Sequence, residues 1–150
     1  MFENSLFPWT LRKREGILWI NSIFEGKKIY SVQSTIKSHY TSVIKPVEIF
    51  SITNCELAQR YLMSGKFKPT GAILDIRIPQ KNWGKKLIEE SGIYFAQSLK
   101  AQYGEKFPLA FFITDSQVQL YREKIEKTGI ENIFSMQQMG LVKVVNALMN

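Results

Sequence analysis

The chain alternates short apolar runs with one-sided apolar stripes, and this rhythm constrains its fold more than any other feature. Gly16-Ile17-Leu18-Trp19-Ile20 is the first run, and Val47–Ile52, behind Pro46, is the second. Ala72–Asp75, Pro108–Thr114 and Ile133-Phe134 follow. Continuous apolar runs of this length suit strands that are covered on both faces. Between them, Ile29, Val32, Ile36 and Tyr40 stand at helical spacing over 27–40. Thr53-Asn54-Cys55-Glu56 has capping-box spacing ahead of Leu57, Ala58, Tyr61 and Leu62, a stripe that Gly65 closes. Ile93, Ala96, Leu99 and Tyr103 align over 92–103. Val118, Tyr121 and Ile125 follow a cap at Asp115 or Ser116, and Leu141, Val144, Val145 and Leu148 form the last stripe. A (βα)5 succession with crossovers of this length predicts an α/β domain: a parallel five-stranded sheet with helices on both faces. Residues 1–15 read as an N-terminal extension, 16–150 as one domain, and the polar stretch near 80–91 as an insertion.

Bulk properties narrow the functional classes. No apolar run reaches the roughly 18 residues that span a bilayer, and Met1–Trp9 lacks the basic leader of a signal peptide. A single cysteine, Cys55, excludes an intramolecular disulfide and a cysteine-based metal cluster, and one histidine, His39, excludes a multi-histidine site. The expected setting is reduced and cytoplasmic, with no membrane partner. The net charge of +7 is uneven: residues 1–100 hold 15 Lys and Arg against 8 Asp and Glu, while residues 101–150 hold five of each. Such an excess suits nucleic acid, anionic lipid or an acidic protein face, or simply a solvated lysine-rich surface. No basic-aromatic motif selects nucleic acid.

The third run carries the most chemical information. Ala72-Ile73-Leu74-Asp75 delivers one carboxylate to a strand tip, and Pro79 follows four residues on. Open α/β sheets place their sites at the C-terminal ends of such strands. Together with Thr114 at the end of the fourth run, this stretch resembles the phosphoacceptor motif of bacterial response-regulator receiver domains, over residues 16 to about 149. The resemblance implies a flavodoxin-like three-layer sandwich with strand order 2-1-3-4-5, Asp75 as phosphoacceptor and Thr114 as its hydroxyl partner. In that family an acidic pair ends the first strand and holds magnesium, and a Lys-Pro pair ends the fifth. Here those positions are Asn21 and Ser22, and Met136 and Gln137. The residue after the hydroxyl, small in active receivers, is Asp115. Gly92-Ile93 looks like the glycine that starts the family's third helix, displaced by the insertion.

These departures remove the positive charge that phosphoryl transfer requires on the developing phosphoryl oxygens. Magnesium usually takes one or two carboxylates, and of the family's set only Asp75 remains, with Asp115 and Glu25 off position. The expectation is therefore a degenerate phosphoacceptor site made of Asp75, Thr114, Asn21, Ser22, Met136 and Asp115, with no catalytic residues, no bound metal and no cofactor. The function expected is that of a pseudo-receiver, a signalling module acting through a protein partner or self-association on the face of the fourth helix, fifth strand and fifth helix. A receiver still phosphorylated on Asp75, a basic nucleic-acid-binding module and a small flavodoxin-like enzyme or cofactor binder are the alternatives.

Three further features have paired readings. Trp83, framed by Lys81, Lys85 and Lys86, is either a lid folded over the sheet end or a contact anchor. Cys55 at a helix start has the setting of a lowered thiol pKa but no basic neighbour in sequence, and His39 reads as solvated. No glycine-rich phosphate loop follows any strand, so nucleotide binding finds no support.

Overall fold

A computed structural model describes residues 14–21, 28–38, 40–79, 87–88 and 90–150. Its main sheet has six strands: β1 (Arg14–Ile20), β2 (Lys28–Lys37), β3 (Ser42–Ile52), β4 (Phe67–Leu74), β7 (Leu109–Ile113) and β8 (Ile133–Ser135), in the order β2-β3-β1-β4-β7-β8. A two-residue hairpin, β5 (Ile78–Pro79) with β6 (Leu87–Ile88), stands apart. The helices are α1 (Cys55–Met63), α2 (Ser91–Tyr103), α3 (Asp115–Lys127) and α4 (Leu141–Met149). No helix among the described residues is long and apolar enough to cross a membrane.

The five runs foreseen as strands are strands, and they pair in parallel as β3-β1-β4-β7-β8. The expected count of five and the wholly parallel order 2-1-3-4-5 are nonetheless corrected. Residues expected to form the first helix are instead β2, which adds an antiparallel edge to β3. The physical reason lies in two coincident periods. Tyr30, Val32 and Ile36 pack against the apolar cluster beneath α4, with buried Ser34 between them. Val32 and Ile36, four residues apart, satisfy a period of 2 as well as one of 3.6. The tie is decided by Ser31, Val32, Ser34, Thr35 and Ile36, whose β-branched and hydroxylic side chains favour a pleated strand over a helix. Arg14 and Glu15 also join β1, so the proposed boundary after residue 15 falls inside a strand.

The sheet separates two apolar clusters. Leu18, Ile20, Leu74, Phe111 and Ile113 meet α1, α2 and α3 on one face, through Ala58, Leu62, Ile93, Ala96, Leu99, Tyr121 and Ile125. Ile17, Trp19, Ile49, Ile73 and Phe112 meet Val144, Val145 and Leu148 of α4 on the other. Each such aliphatic side chain, fully withdrawn from water, contributes about 1.5–3 kcal/mol. Among the described residues, the β2–β3 hairpin lies beside α4 on this face.

Pro46 lies within β3 rather than ahead of it. The Ser38 N–H donates to the Thr41 carbonyl at 2.8 Å, which sets the hydrogen-bonding phase of the hairpin. Odd-numbered residues of β3 then exchange bonds with β2, and Pro46 falls where no N–H is needed toward that partner. The same phase turns the backbone groups of Lys37 and Thr35 to the open edge of β2. Asn150 meets both there: its Oδ1 accepts from the Lys37 N–H at 2.7 Å, and its Nδ2 donates to the Thr35 carbonyl at 2.7 Å. One side-chain amide thus stands in for the peptide of a further strand. Ser34 Oγ adds a bond to Asn146 Oδ1 at 2.9 Å, so α4 is pinned to the edge it covers.

Asn150→Ala removes both edge bonds. It is expected to cost about 1 kcal/mol of stability in a urea titration and to speed exchange of the Lys37 amide proton relative to its neighbours.

Candidate functional site

The C-terminal ends of β1, β3, β4 and β7 bring Asn21, Ser51, Asp75 and Thr114 to one edge of the sheet. Asn21 follows β1 and is 0% exposed, and its Nδ2 donates to Ser51 Oγ at 2.9 Å. Its N–H donates to the Ile52 carbonyl at 3.0 Å, which extends the β1–β3 ladder by one residue. The position that carries a metal-binding carboxylate in receivers is therefore an amide tied to the neighbouring strand.

Asp75 follows β4 and is 7% exposed. Its N–H donates to the Ile20 carbonyl at 3.0 Å, and its Oδ1 accepts from the Ile76 N–H at 2.7 Å. The carboxylate thus folds back on the backbone that follows it. The start of α2 closes over this turn. Gly92 N–H donates to the Ile76 carbonyl at 2.7 Å, and a Cβ at residue 92 would come within 1.7 Å of the Asp75 carbonyl oxygen. Buried Ser91 bonds both polar groups of Ile78, its Oγ accepting from the N–H and donating to the carbonyl, each at 2.7 Å. Just before it, Glu90 holds a left-handed backbone with φ of 62°, and its carboxylate meets Lys124 of α3 at 2.8 Å. That pairing raises the Lys124 pKa and ties α2 to α3 beside the site.

Thr114 is the N-cap of α3. Its Oγ1 accepts from the Gln117 N–H at 3.3 Å, and Gln117 Oε1 accepts in turn from the Thr114 N–H at 3.1 Å, a complete capping box. The cap expected at Asp115 or Ser116 is corrected to Thr114. Asp115 turns instead toward β8: its Oδ1 accepts from Ser135 Oγ and, at 3.1 Å, from Gln138 Nε2. Its N–H donates to Gln137 Oε1 at 2.8 Å. Met136, just beyond β8, packs against the apolar cluster on the α4 face. The described residues that the sequence singled out thus lie at or just beyond the C-terminal ends of β1, β4, β7 and β8, and each is engaged locally.

Among the described residues the donor set does not suit a magnesium ion. The Asn21 amide nitrogen points a donor at Ser51, the Asp115 carboxylate is held by Ser135 at the end of β8 and by Gln138 beyond it, and no three His, Cys, Asp or Glu side chains gather. Ser22, Glu25, His39, Lys81, Trp83, Lys85 and Lys86 lie outside the described residues.

Two helix-start readings change. Asn54, not Thr53, caps α1, its Oδ1 accepting from the Leu57 N–H at 2.7 Å. Cys55 is buried, and burial pushes its thiol up to about 12, the reverse of activation. Sequence reasoning also passed over Ser51, Ser91, Ser135 and Gln138. No motif marks such residues, because their role is to satisfy neighbours that only the fold brings close.

No protein-family model, no curated protein and no solved structure matches this chain.

Gly92→Ala forces α2 away from the turn after β4. It is expected to cost about 2 kcal/mol or more in chemical unfolding, whereas Gly140→Ala, where an added Cβ meets nothing within 4 Å, is expected to cost less, about 1 kcal/mol or below, for an alanine at the N-cap of α4.

Proposed function

We propose that this chain is a pseudo-receiver: a protein-binding module on a flavodoxin-like scaffold that works without magnesium-dependent aspartyl phosphorylation. The observation that carries this reading is the engagement of the sheet-edge groups by one another. Phosphoryl transfer to Asp75 needs cationic groups aimed at the transferring oxygens. The receiver positions instead hold an amide bonded to Ser51 and a methionine packed into an apolar cluster. A carboxylate at Asp115, beside the hydroxyl position, would further repel a dianionic phosphoryl group.

The contact surface in this reading is the face of α3, β8 and α4. A cleft of about 400 Å³ lies there, lined by Asp115, Val118, Gln119, Arg122, Ile133 and Gln138 among others. An apolar floor of Val118 and Ile133 with a charged rim of Asp115 and Arg122 suits a protein side chain, and arginine is common at binding hot spots. A second copy of the chain is the simplest occupant to test.

Incubation with acetyl phosphate and magnesium, followed by intact-mass measurement, is expected to show no added phosphoryl group. A stable adduct that disappears in Asp75→Asn would overturn the reading in favour of a working receiver.

Sedimentation velocity over a wide concentration range tests the surface. Association that weakens in Arg122→Glu, an exposed position on the rim of the cleft, with the melting temperature unchanged, is the expected outcome. Association unaffected by the substitution would remove this face from the proposal.

A further inference from the structure

The β2–β3 hairpin ends in an apolar tip, a feature the pseudo-receiver reading does not use. Around the turn between Ser38 and Thr41, Tyr40 is 92% exposed, Ile44 71% and Val43 51%. Val43 stands across from Ile36, and Ile44 stands across from Thr35. As neighbours on one strand, the two side chains point to opposite faces of the hairpin. Each face also carries an exposed lysine: Lys37 on the side of Ile44, and Lys45, across from Ser34, on the side of Val43.

The tip projects from the N-terminal end of the parallel strands, opposite Asp75, since β1 comes into register with β3 only at Ile49. More cations gather at that end. Exposed Arg14 opens β1, and exposed Lys66 and Lys68 flank Phe67 at the start of β4, against two exposed carboxylates, Glu15 across from Lys68 and Glu48 on β3. The Arg14 N–H donates to the Lys66 carbonyl at 3.0 Å, so these two positions are held side by side. All five cations belong to the first two-thirds of the chain, where the whole positive excess lies.

We propose that this end of the sheet is a peripheral membrane-docking site. Tyr40, Val43 and Ile44 enter the headgroup region of an anionic bilayer, while Lys37, Lys45 and the cations of β1 and β4 rest on the lipid phosphates. Two features select a lipid surface over the other polyanions. A protein partner covers one face of a hairpin, whereas a fluid interface surrounds a protruding tip and so receives Val43 and Ile44 together. Nucleic acid would use the cations but leave the apolar tip in water. Tyrosine suits the boundary between headgroup and acyl chain, and lysine stems reach along apolar surface to keep their charge in the aqueous layer. Apolar insertion and basic attraction are each weak alone and sufficient in combination.

The test is co-sedimentation of the full chain with phosphatidylcholine vesicles, with and without phosphatidylglycerol. Binding to the anionic vesicles only, weakening as salt rises, is expected. Lys37→Gln combined with Lys45→Gln should lower the partition coefficient about 25-fold, and Tyr40→Ser combined with Ile44→Ser should lower it by about tenfold or more. Absence of binding to anionic vesicles overturns the proposal. So does binding that the apolar pair leaves unchanged, since net charge alone would then account for it. A second readout does not depend on how the serine variant folds: Tyr40→Trp should show a blue shift of added indole emission on anionic vesicles, and no shift counts against insertion.

Discussion

Strands β1, β4 and β7 lie side by side with apolar side chains packed against both of their faces, and the rest of the molecule answers to that enclosure. A strand tip buried this deeply has no water to meet its polar groups, so each must find a partner inside the protein. Asn21 bonds Ser51, Asp75 folds onto the Ile76 amide, and Ser91 takes both polar groups of Ile78. The start of α2 can close over this region only because residue 92 has no side chain. The described polar groups of this edge are thus bonded to one another or to nearby backbone.

The central part of the fold was legible in the sequence because its strands are apolar throughout. Ile17–Ile20, Ala72–Leu74 and Leu109–Ile113 admit one arrangement, a covered parallel sheet, and the helices with clean stripes and glycine stops followed. The stretch 27–40 was not legible by spacing, since Val32 and Ile36 serve either period; composition alone separated strand from helix. The candidate site was legible in part. Asp75, Thr114 and the neutral substitutions at Asn21 and Met136 could be read from position along the strands. What Thr114 and Asp115 do could not, because a hydroxyl at a strand end is also a hydroxyl at a helix start, and capping by Gln117 wins locally. The partners of Asp115 come from the β8–α4 connection, 20 and 23 residues away.

The hairpin changes the balance of the two faces. Among the described residues three helices cover one face of the sheet and α4 serves the other, with Tyr30, Val32 and Ile36 of β2 helping to complete its apolar cluster. An edge strand of ten residues invites pairing with another chain. The amide of Asn150 occupies two of its open positions, and exposed Lys37 charges one end.

The distance along the chain between the two parts of that seal has a consequence for synthesis. Lys37 and Asn150 are 113 residues apart. A ribosome releases the hairpin long before α4, so Trp19, Tyr30, Val32 and Ile36 must wait uncovered while the intervening strands and helices are made. Contacts this remote also close slowly once the chain is free. The nascent chain therefore passes through a stage in which its edge strand is complete and unguarded, and in which chaperone capture or premature pairing competes with the arrival of the last helix.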